Sequence, residues 1–148
     1  DNVMKIYLCQ TDTTAGFLSK NKALLNKLKN RPLNTPCLIT TARFSTLLRL
    51  TRVPKTFKNL VRKAQKTTFI YPNQKALRIV KNGKHASFLA KHNWLYSSSA
   101  NEHKKPFKLK HALNLAKKYH IKIIDQNLHE ANASKIFKLS RSKMRKMR

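Results

Sequence analysis

Acidic side chains are almost missing from this sequence. The chain has 148 residues, and its 33 Lys and Arg residues stand against only five Asp and Glu, so the formal net charge is +28. Glycine is also rare, with two residues, which excludes collagen-like and glycine-rich chains. The two cysteines, Cys9 and Cys37, form neither a CxxC pair nor a metal-ligand spacing. This pattern fits a reducing compartment and predicts no metal site.

Long apolar runs are missing as well. No stretch approaches the roughly 20 apolar residues that a membrane span needs, and no charged-then-apolar leader with a small-residue cleavage site is visible. The sequence therefore predicts a cytoplasmic protein with no membrane partner. Hydrophobic residues nevertheless make up 41% of the chain, which is enough for a core and excludes a wholly disordered basic peptide.

The excess of positive charge predicts an anionic partner, because self-repulsion on this scale has to be offset. Basic residues are spread over the whole chain rather than gathered in one arm. We favour nucleic acid, since Lys and Arg side chains bind phosphates and release counterions. Two alternatives remain open. In the first, the lysines serve only solubility, in a lineage with a basic proteome. In the second, they bind an anionic membrane surface.

Alternating strand and helix patterns predict an α/β fold with a mixed or parallel sheet. Strands are expected at Val3–Leu8, Cys37–Thr41, Thr67–Tyr71, Ala76–Val80, Trp94–Tyr96 and Ile121–Ile124. Helices are expected around Leu24–Leu28, Phe44–Leu50, Phe57–Val61, Ser87–Ala90, Leu109–Tyr119 and Leu128–Leu139. We predict a single domain over residues 1–134 and a basic C-terminal tail over 135–148 that is mobile or ordered by RNA.

Two polar segments in the first part of the chain are candidates for ligand binding, because α/β folds place ligands at strand ends. Asp12, in the turn Thr11–Gly16, is an isolated carboxylate that holds a turn through backbone N–H groups or orients a ligand ammonium. Lys29 and Arg31 lie near a helix C-terminus, which the helix dipole alone favours. Two prolines in the following loop reduce the entropy lost when Arg31 is held for a planar phosphate contact.

Two further segments lie later in the chain. Arg78 points to the opposite face of its strand from Leu77 and Ile79, so it either reaches solvent or clamps a carboxylate or phosphate in a cleft. The strand exit Ser97–Asn101 carries hydroxyl groups and backbone N–H groups that cradle phosphate oxygens or simply form a turn. No His/Asp arrangement near these serines supports a hydrolase triad.

Together and in this order, the segments resemble the YrdC-like family, the threonylcarbamoyl-AMP synthases. The family opens with a strand and a P-T-D-T-x-Y-G-L turn, where this chain reads QTDTTAGF over Gln10–Phe17. The family's K-x-R-P-x-x-x-P is matched by KNRPLNTP over Lys29–Pro36. Its R-x-P strand and S-A-N turn correspond to Arg78–Val80 and Ser99–Asn101. The chain departs from the pattern at Ala15, where the family has tyrosine, and at Val80, where it has proline.

The resemblance implies a YrdC-like twisted mixed sheet flanked by helices, with a basic cavity. It implies an L-threonylcarbamoyladenylate synthase, a nucleotidyltransferase that joins L-threonine, bicarbonate and ATP, releases pyrophosphate and serves tRNA modification. The implied partners are tRNA or double-stranded RNA and other tRNA-modification proteins, and Mg²⁺ is expected to bridge the ATP phosphates. Position by position, the triphosphate would be held by Lys29, Arg31, Ser99 and Asn101, and threonine would be surrounded by Thr11, Thr13, Arg78 and Ser97.

Two alternatives to the synthase remain open. One is a non-catalytic RNA-binding protein of the same fold, associated with tRNA or the ribosome. The other is an unrelated basic ribosomal or scaffold protein. No residue is assigned a catalytic role.

Overall fold

The computed structural model describes residues 5–148, which form two compact units. The first unit joins residues 5–37 to Leu95–Asn132, and the second joins Leu38–Trp94 to Ala133–Arg148. Each unit is therefore assembled from two separate stretches of chain. The beginning of the strand predicted over Val3–Leu8 lies outside the described residues.

The described chain alternates strands and helices. In chain order the strands are β1 (Ile6–Cys9), β2 (Gly16–Ser19), β3 (Leu38–Thr41), β4 (Thr67–Ile70), β5 (Ala76–Ile79), β6 (Trp94–Ser99), β7 (Lys122–Ile123), β8 (Lys135–Leu139) and β9 (Met144–Lys146). The helices are α1 (Lys22–Leu28), α2 (Phe44–Leu50), α3 (Lys58–Lys63), α4 (Gly83–His92) and α5 (Leu109–Lys118), with a short 3₁₀ turn at Lys55–Phe57. None of these helices is long and apolar enough to cross a membrane.

The first unit has a mixed sheet in the order β7-β1-β2-β6. β2 is antiparallel to both β1 and β6, and β7 is parallel to β1. All four residues of β2 are buried, as expected for a strand with a partner on each side. Helices α1 and α5 cover this sheet through Leu25, Leu28, Ala112 and Ala116, which join Phe17 in the core.

The second unit also has a mixed sheet, in the order β3-β5-β4-β8-β9. β5 is parallel to β3 and antiparallel to β4, while β8 is parallel to β4. Its largest fully buried side chains are Leu47, Val61, Tyr71, Leu77, Leu89 and Leu139. The ring of Phe69 in β4 stacks on that of Phe137 in β8 with centroids 6.1 Å apart, which fixes the two strands together.

Most predicted elements are confirmed, with ends that differ by a few residues. One strand was missed and one predicted helix is wrong. Strand β2 was not predicted, because its four residues follow the polar turn directly and are too short for a visible alternation. The predicted helix over Leu128–Leu139 is wrong, since its second half is β8. Parallel pairing of β8 with β4 and the stacking of Phe137 outweigh the helical spacing of the apolar residues.

The segment Lys135–Arg148, predicted as a basic tail that is mobile or ordered by RNA, contains β8 and β9. Beyond β8, a turn closed by Ser140 and Lys143 leads into β9, which pairs with β8. The Arg148 side chain then donates from Nε to the Ser134 carbonyl oxygen over 3.0 Å. The basic side chains lie on this hairpin, and most of them are exposed. The predicted domain boundary at residue 134 stays a prediction.

Candidate functional site

The end of α1 fixes two cations in place. Lys29 caps the helix, and Asn30 follows with a left-handed φ of 54°, a conformation that asparagine adopts more readily than most residues. The Asn30 N–H donates to the Lys27 carbonyl over 3.2 Å, and the Arg31 N–H donates to the Asn26 carbonyl over 2.8 Å. These two bonds form a Schellman motif, so the backbone of Lys29 and Arg31 is set by the helix end itself.

Lys29 reaches from α1 to the strand exit after β6. Its Nζ donates to the Ser99 carbonyl oxygen over 2.7 Å and to the Asn101 carbonyl oxygen. An ammonium group has three hydrogens, so one remains for a further acceptor. Burial, and then the nearby positive charge of Arg31, lower the pKa of Lys29 from 10.5 to about 8. The site therefore contains a cation that an incoming anion would stabilise.

The Arg31 guanidinium contacts two side chains through Nη2, and its Nε donor is unused. Its Nη2 donates to Ser98 Oγ over 3.3 Å and approaches Cys37 Sγ at 3.8 Å. Its Nε is buried and has no acceptor among the described residues. A buried donor without an acceptor is costly. An anion at this position would supply the missing acceptor.

The loop that follows Arg31 is organised by Asn26, a fully buried residue of α1. The Asn26 side-chain amide donates to the carbonyl oxygens of Leu33 and Thr35 over 3.0 and 2.9 Å, and its oxygen lies 3.3 Å from Cys37 Sγ. One side chain thus closes the loop onto the helix that carries Lys29.

Replacing Asn26 with alanine is expected to loosen this loop. The carbonyl groups of Leu33 and Thr35 would lose their donor, and at about 0.5–1.5 kcal/mol per hydrogen bond the free energy of unfolding should fall by about 1–3 kcal/mol. Urea unfolding followed by circular dichroism measures this loss. The control is Asn34→Ala, which removes an exposed amide from the same loop and should change stability by no more than about 0.5 kcal/mol. Equal losses in both variants would contradict the role given to Asn26.

Three of the four residues predicted to surround threonine lie near Gly16. A Cβ added there would be 3.1 Å from both Thr11 Cγ2 and the Ser98 carbonyl oxygen, a tight contact, and 3.7 Å from Ser97 Oγ, an ordinary van der Waals contact. Thr11 Oγ1 and Thr13 Oγ1 are 3.2 Å apart, and Thr11 Oγ1 also donates to the Thr14 carbonyl. The turn therefore presents hydroxyl groups beside β6.

This turn is tied to the second stretch of the first unit. The Gln10 N–H donates to Asp125 Oδ2 over 2.8 Å, and the His129 N–H donates to Gln10 Oε1 over 2.8 Å. Ala15 continues the link, since its N–H donates to the His129 carbonyl over 3.0 Å. Residues 124–134 after β7 have no regular secondary structure, although a helix was predicted from Leu128 onward. Their hydrogen bonds hold the threonine-rich turn in place.

Arg78 belongs to the second unit and is described there by itself. It is buried, with 4% of its surface exposed, so the interpretation that it reaches solvent is wrong. Its Nη1 donates to Thr68 Oγ1 over 3.3 Å, and Thr68 Oγ1 in turn lies 2.9 Å from Ser134 Oγ. Its predicted role at the threonine carboxylate stays a prediction.

Ser99 and Asn101 meet Lys29 through their backbones rather than their side chains. The Ser99 side chain is exposed. The Asn101 amide nitrogen donates to the carbonyl oxygens of Glu102 and Lys105 over 2.9 and 2.8 Å, and its side-chain oxygen is buried with no partner in the described part of the chain. Asn101 therefore shapes the loop and offers an acceptor.

Two residues take part in the site without having been assigned a role: Ser98, which lies in the predicted segment Ser97–Asn101, and Asn26, which was not predicted. The family-like S-A-N turn drew attention to Ser99, but it is Ser98 whose hydroxyl meets Arg31. The run of three serines does contain a usable signal. Successive residues of a strand point to opposite faces, so three serines in a row place hydroxyl groups on both faces of the sheet. Across residues 5–148, no cluster of three or more His, Cys, Asp or Glu side chains could hold a metal ion.

Comparison with solved structures identifies the fold. P. abyssi Sua5 in complex with L-threonine superposes with a TM-score of 0.80 over 98% of this chain, at 19% identity. E. coli YciO superposes with a TM-score of 0.77 over 97% of this chain, at 14% identity. The chain has the Sua5/YrdC fold. The resemblance and the fold class predicted from the sequence are thus confirmed at the level of structure.

The shared part differs in extent between these relatives. The chain spans about half of the Sua5 chain, 50%, but 82% of YciO. A protein from Methanobacterium thermoautotrophicum has the same Sua5/YrdC fold, with a TM-score of 0.71, 17% identity, and coverage of 98% of this chain and 80% of its own. No protein-family profile and no curated protein sequence matches this chain.

Proposed function

We propose that the first unit binds the phosphates of ATP through Lys29 and Arg31 and supports threonylcarbamoyl-adenylate synthesis. The observation that carries this proposal is the pairing of two fixed cations, one with a spare ammonium hydrogen and one with a buried Nε that lacks an acceptor. Phosphate oxygens accept such charge-assisted bonds strongly, and a guanidinium offers a planar fork for them.

The reaction needs positioning and charge neutralisation more than a nucleophilic side chain. An oxygen of the threonine carbamate forms a bond to the α-phosphorus, and the bond from that phosphorus to the bridging oxygen of pyrophosphate breaks. Lys29 and Arg31 neutralise the charge that develops on the leaving phosphates. Because the described residues include no acidic cluster, Mg²⁺ would be held mainly by the phosphates and water.

Threonine would bind beside the hydroxyl groups of the first unit. Thr11 and Ser97 lie beside Gly16, and Thr13 Oγ1 is 3.2 Å from Thr11 Oγ1. The Sua5 structure in complex with L-threonine supports the substrate class through the shared fold. Hydroxyl groups that accept as well as donate suit the ammonium and hydroxyl of this amino acid.

The direct test is incubation of the protein with ATP, L-threonine and bicarbonate, followed by detection of pyrophosphate and of threonylcarbamoyl-adenylate by mass spectrometry. Synthase activity requires both products to depend on threonine and on bicarbonate. Pyrophosphate release without dependence on threonine would contradict the assignment of substrates. ATP binding without either product would support the non-catalytic alternative.

Nucleotide binding is expected to weaken as the pH rises through about 8. Only the charged form of Lys29 attracts phosphate, and its pKa of about 8 means that it loses its proton above that value. The affinity for ATP should fall about tenfold between pH 7 and pH 9 as the charge of Lys29 is lost. Titration calorimetry at several pH values measures the trend. Lys29→Arg should remove it, since arginine keeps its proton, and an unchanged profile in that variant would contradict the assignment.

RNA binding is the second function that an observation favours. Residues 38–94 carry thirteen Lys and Arg, residues 133–148 carry seven, and neither stretch contains Asp or Glu. The second unit therefore has no carboxylate of its own to neutralise its cations. A tRNA or double-stranded RNA backbone would supply that neutralisation through its phosphates.

A further inference from the structure

A cavity of about 690 Å³ lies wholly within the second unit. Its volume falls inside the roughly 300–1,000 Å³ that is typical of sites for small molecules and cofactors. Three cationic side chains line it, those of Arg52, Lys55 and Arg141, and no acidic residue is among the described residues of its wall. None of these residues takes part in the site at Lys29 and Arg31.

Sheet pairing brings Arg141 to the same end of the sheet as Pro72, although the two residues are far apart in the sequence. β8 runs parallel to β4 in a register that places Lys138 beside Ile70, so both strands leave the sheet at the same end. The chain then reaches Pro72 after β4 and Arg141 after β8, and both residues line the cavity. This convergence depends on β8, which the sequence predicted as part of a helix.

Two of the three cations, Lys55 and Arg141, lie on closed turns. The Phe57 N–H donates to the Pro54 carbonyl over 2.9 Å, which holds the 3₁₀ turn that contains Lys55. The Ser140 N–H donates to the Lys143 carbonyl over 2.9 Å and the Lys143 N–H donates to Ser140 Oγ over 3.1 Å, which closes the turn that contains Arg141. Backbone that is already ordered loses little entropy when a ligand binds.

The wall of the cavity also contains an unsatisfied hydroxyl. Thr51 follows α2, and only 7% of its surface is exposed. Its Oγ1 is buried and has no hydrogen-bond partner among the described residues. Buried hydroxyl groups are nearly always paired. An unpaired hydroxyl group in the wall of a cationic cavity indicates that a ligand supplies its missing hydrogen-bond partner.

We propose that this cavity is a second anion site, which binds a phosphomonoester of nucleotide size. A phosphate with two negative charges would be neutralised by Arg52 and Arg141, whose guanidinium groups suit its oxygens. Pro54 and Pro72 would contact the less polar body of the ligand, such as a sugar or base. The proposal goes beyond the ATP site and does not depend on it.

The test follows the backbone amide signals of the cavity by NMR while AMP, inorganic phosphate or adenosine is added. Shifts are expected at residues 51–56 and 140–143 with AMP and, more weakly, with phosphate, but not with uncharged adenosine. Arg52→Gln combined with Arg141→Gln should weaken AMP binding at these signals by about tenfold or more, since each guanidinium makes a charge-assisted contact. Thr51→Val should weaken it by a smaller factor while the shape of the side chain is retained.

The matched control removes two charges elsewhere in the same unit, with Lys84→Gln and Lys91→Gln on α4, both exposed. This variant should bind AMP within about twofold of the unaltered chain. Equal weakening in the two double variants would overturn the proposal, because the effect would then be one of total charge. Absence of shifts at the cavity would overturn it as well. The same titration with Lys29→Ala and Arg31→Ala separates the two sites, since loss of ATP binding there should leave the cavity signals unchanged.

The phosphomonoester could come from a free nucleotide or from the end of an RNA chain. A short oligonucleotide with a 5′-phosphate and the same oligonucleotide with a 5′-hydroxyl distinguish these sources. Stronger displacement of AMP by the phosphorylated oligonucleotide than by the unphosphorylated one assigns an RNA end, and absence of displacement by either assigns a free nucleotide. Both outcomes support the site. Effective displacement to the same extent by both oligonucleotides would overturn it, because the terminal phosphate would then play no part.

Discussion

Replacing both Lys29 and Arg31 with alanine is expected to abolish measurable ATP binding by the first unit. Each cation makes a charge-assisted contact that contributes about 1.5–3 kcal/mol, so the double variant should lose roughly 10²- to 10⁴-fold in affinity. Arg31→Lys should already weaken binding, because lysine keeps the charge but lacks the planar fork. Titration calorimetry with ATP measures both variants, and pyrophosphate release should fall with the affinity.

The control for this experiment removes two exposed cations from α5 in the same unit, with Lys110→Ala and Lys117→Ala. Circular dichroism should show that all variants are folded. Unchanged ATP affinity in the Lys29 and Arg31 variant would remove the phosphate site. A similar loss in the α5 variant would show that the affinity depends on net charge and not on the two residues at the end of α1.

Affinity for tRNA is expected to fall about 10³- to 10⁵-fold between 50 and 200 mM salt, if roughly 6–10 phosphates are neutralised. Aromatic residues make up only 8% of the chain, so phosphate contacts rather than base stacking should dominate. Sequence preference should accordingly be slight, because backbone contacts carry no base information. Fluorescence anisotropy of labelled tRNA across a salt series gives the slope.

A comparison of two variants would show which unit binds the RNA. One variant neutralises exposed cations of the second unit, with Arg49→Gln, Lys58→Gln, Lys63→Gln and Lys84→Gln. The other neutralises the same number in the first unit, with Lys27→Gln, Lys110→Gln, Lys117→Gln and Lys122→Gln. The first variant should reduce the salt slope more, because the second unit has no acidic side chains. A flat salt dependence in the unaltered chain would remove RNA binding from the proposed functions.

The sequence predicted the elements that are specified locally. Asn21 accepts from the Leu24 N–H over 3.2 Å and so caps α1, and α2 spans the predicted Phe44–Leu50. Local side-chain chemistry sets such helix ends, so one sequence is enough to find them. Of the first four elements, β1, α1 and β3 were predicted in the same way, and β2 was not.

Features that depend on distant partners could not be predicted. β8 has the apolar spacing of a helix, and only its pairing with β4 makes it a strand. The cationic pair was found from its motif, but the contact of Arg31 with Ser98 joins residues that are 67 positions apart in the chain. The cavity at Arg52 and Arg141 was missed for the same reason, since it joins the segment after α2 with the turns that follow β4 and β8.

The construction of both units from two stretches of chain has a consequence for synthesis on the ribosome. Residues 5–37 cannot complete their unit until Leu95–Asn132 has been made. At about 5–20 residues per second, translation of the stretch between them takes roughly 3–11 seconds. During that time β2, which is buried in the finished protein, has β1 on one side and no β6 on the other. Mutual repulsion between highly cationic nascent chains would keep such open edges from pairing with each other.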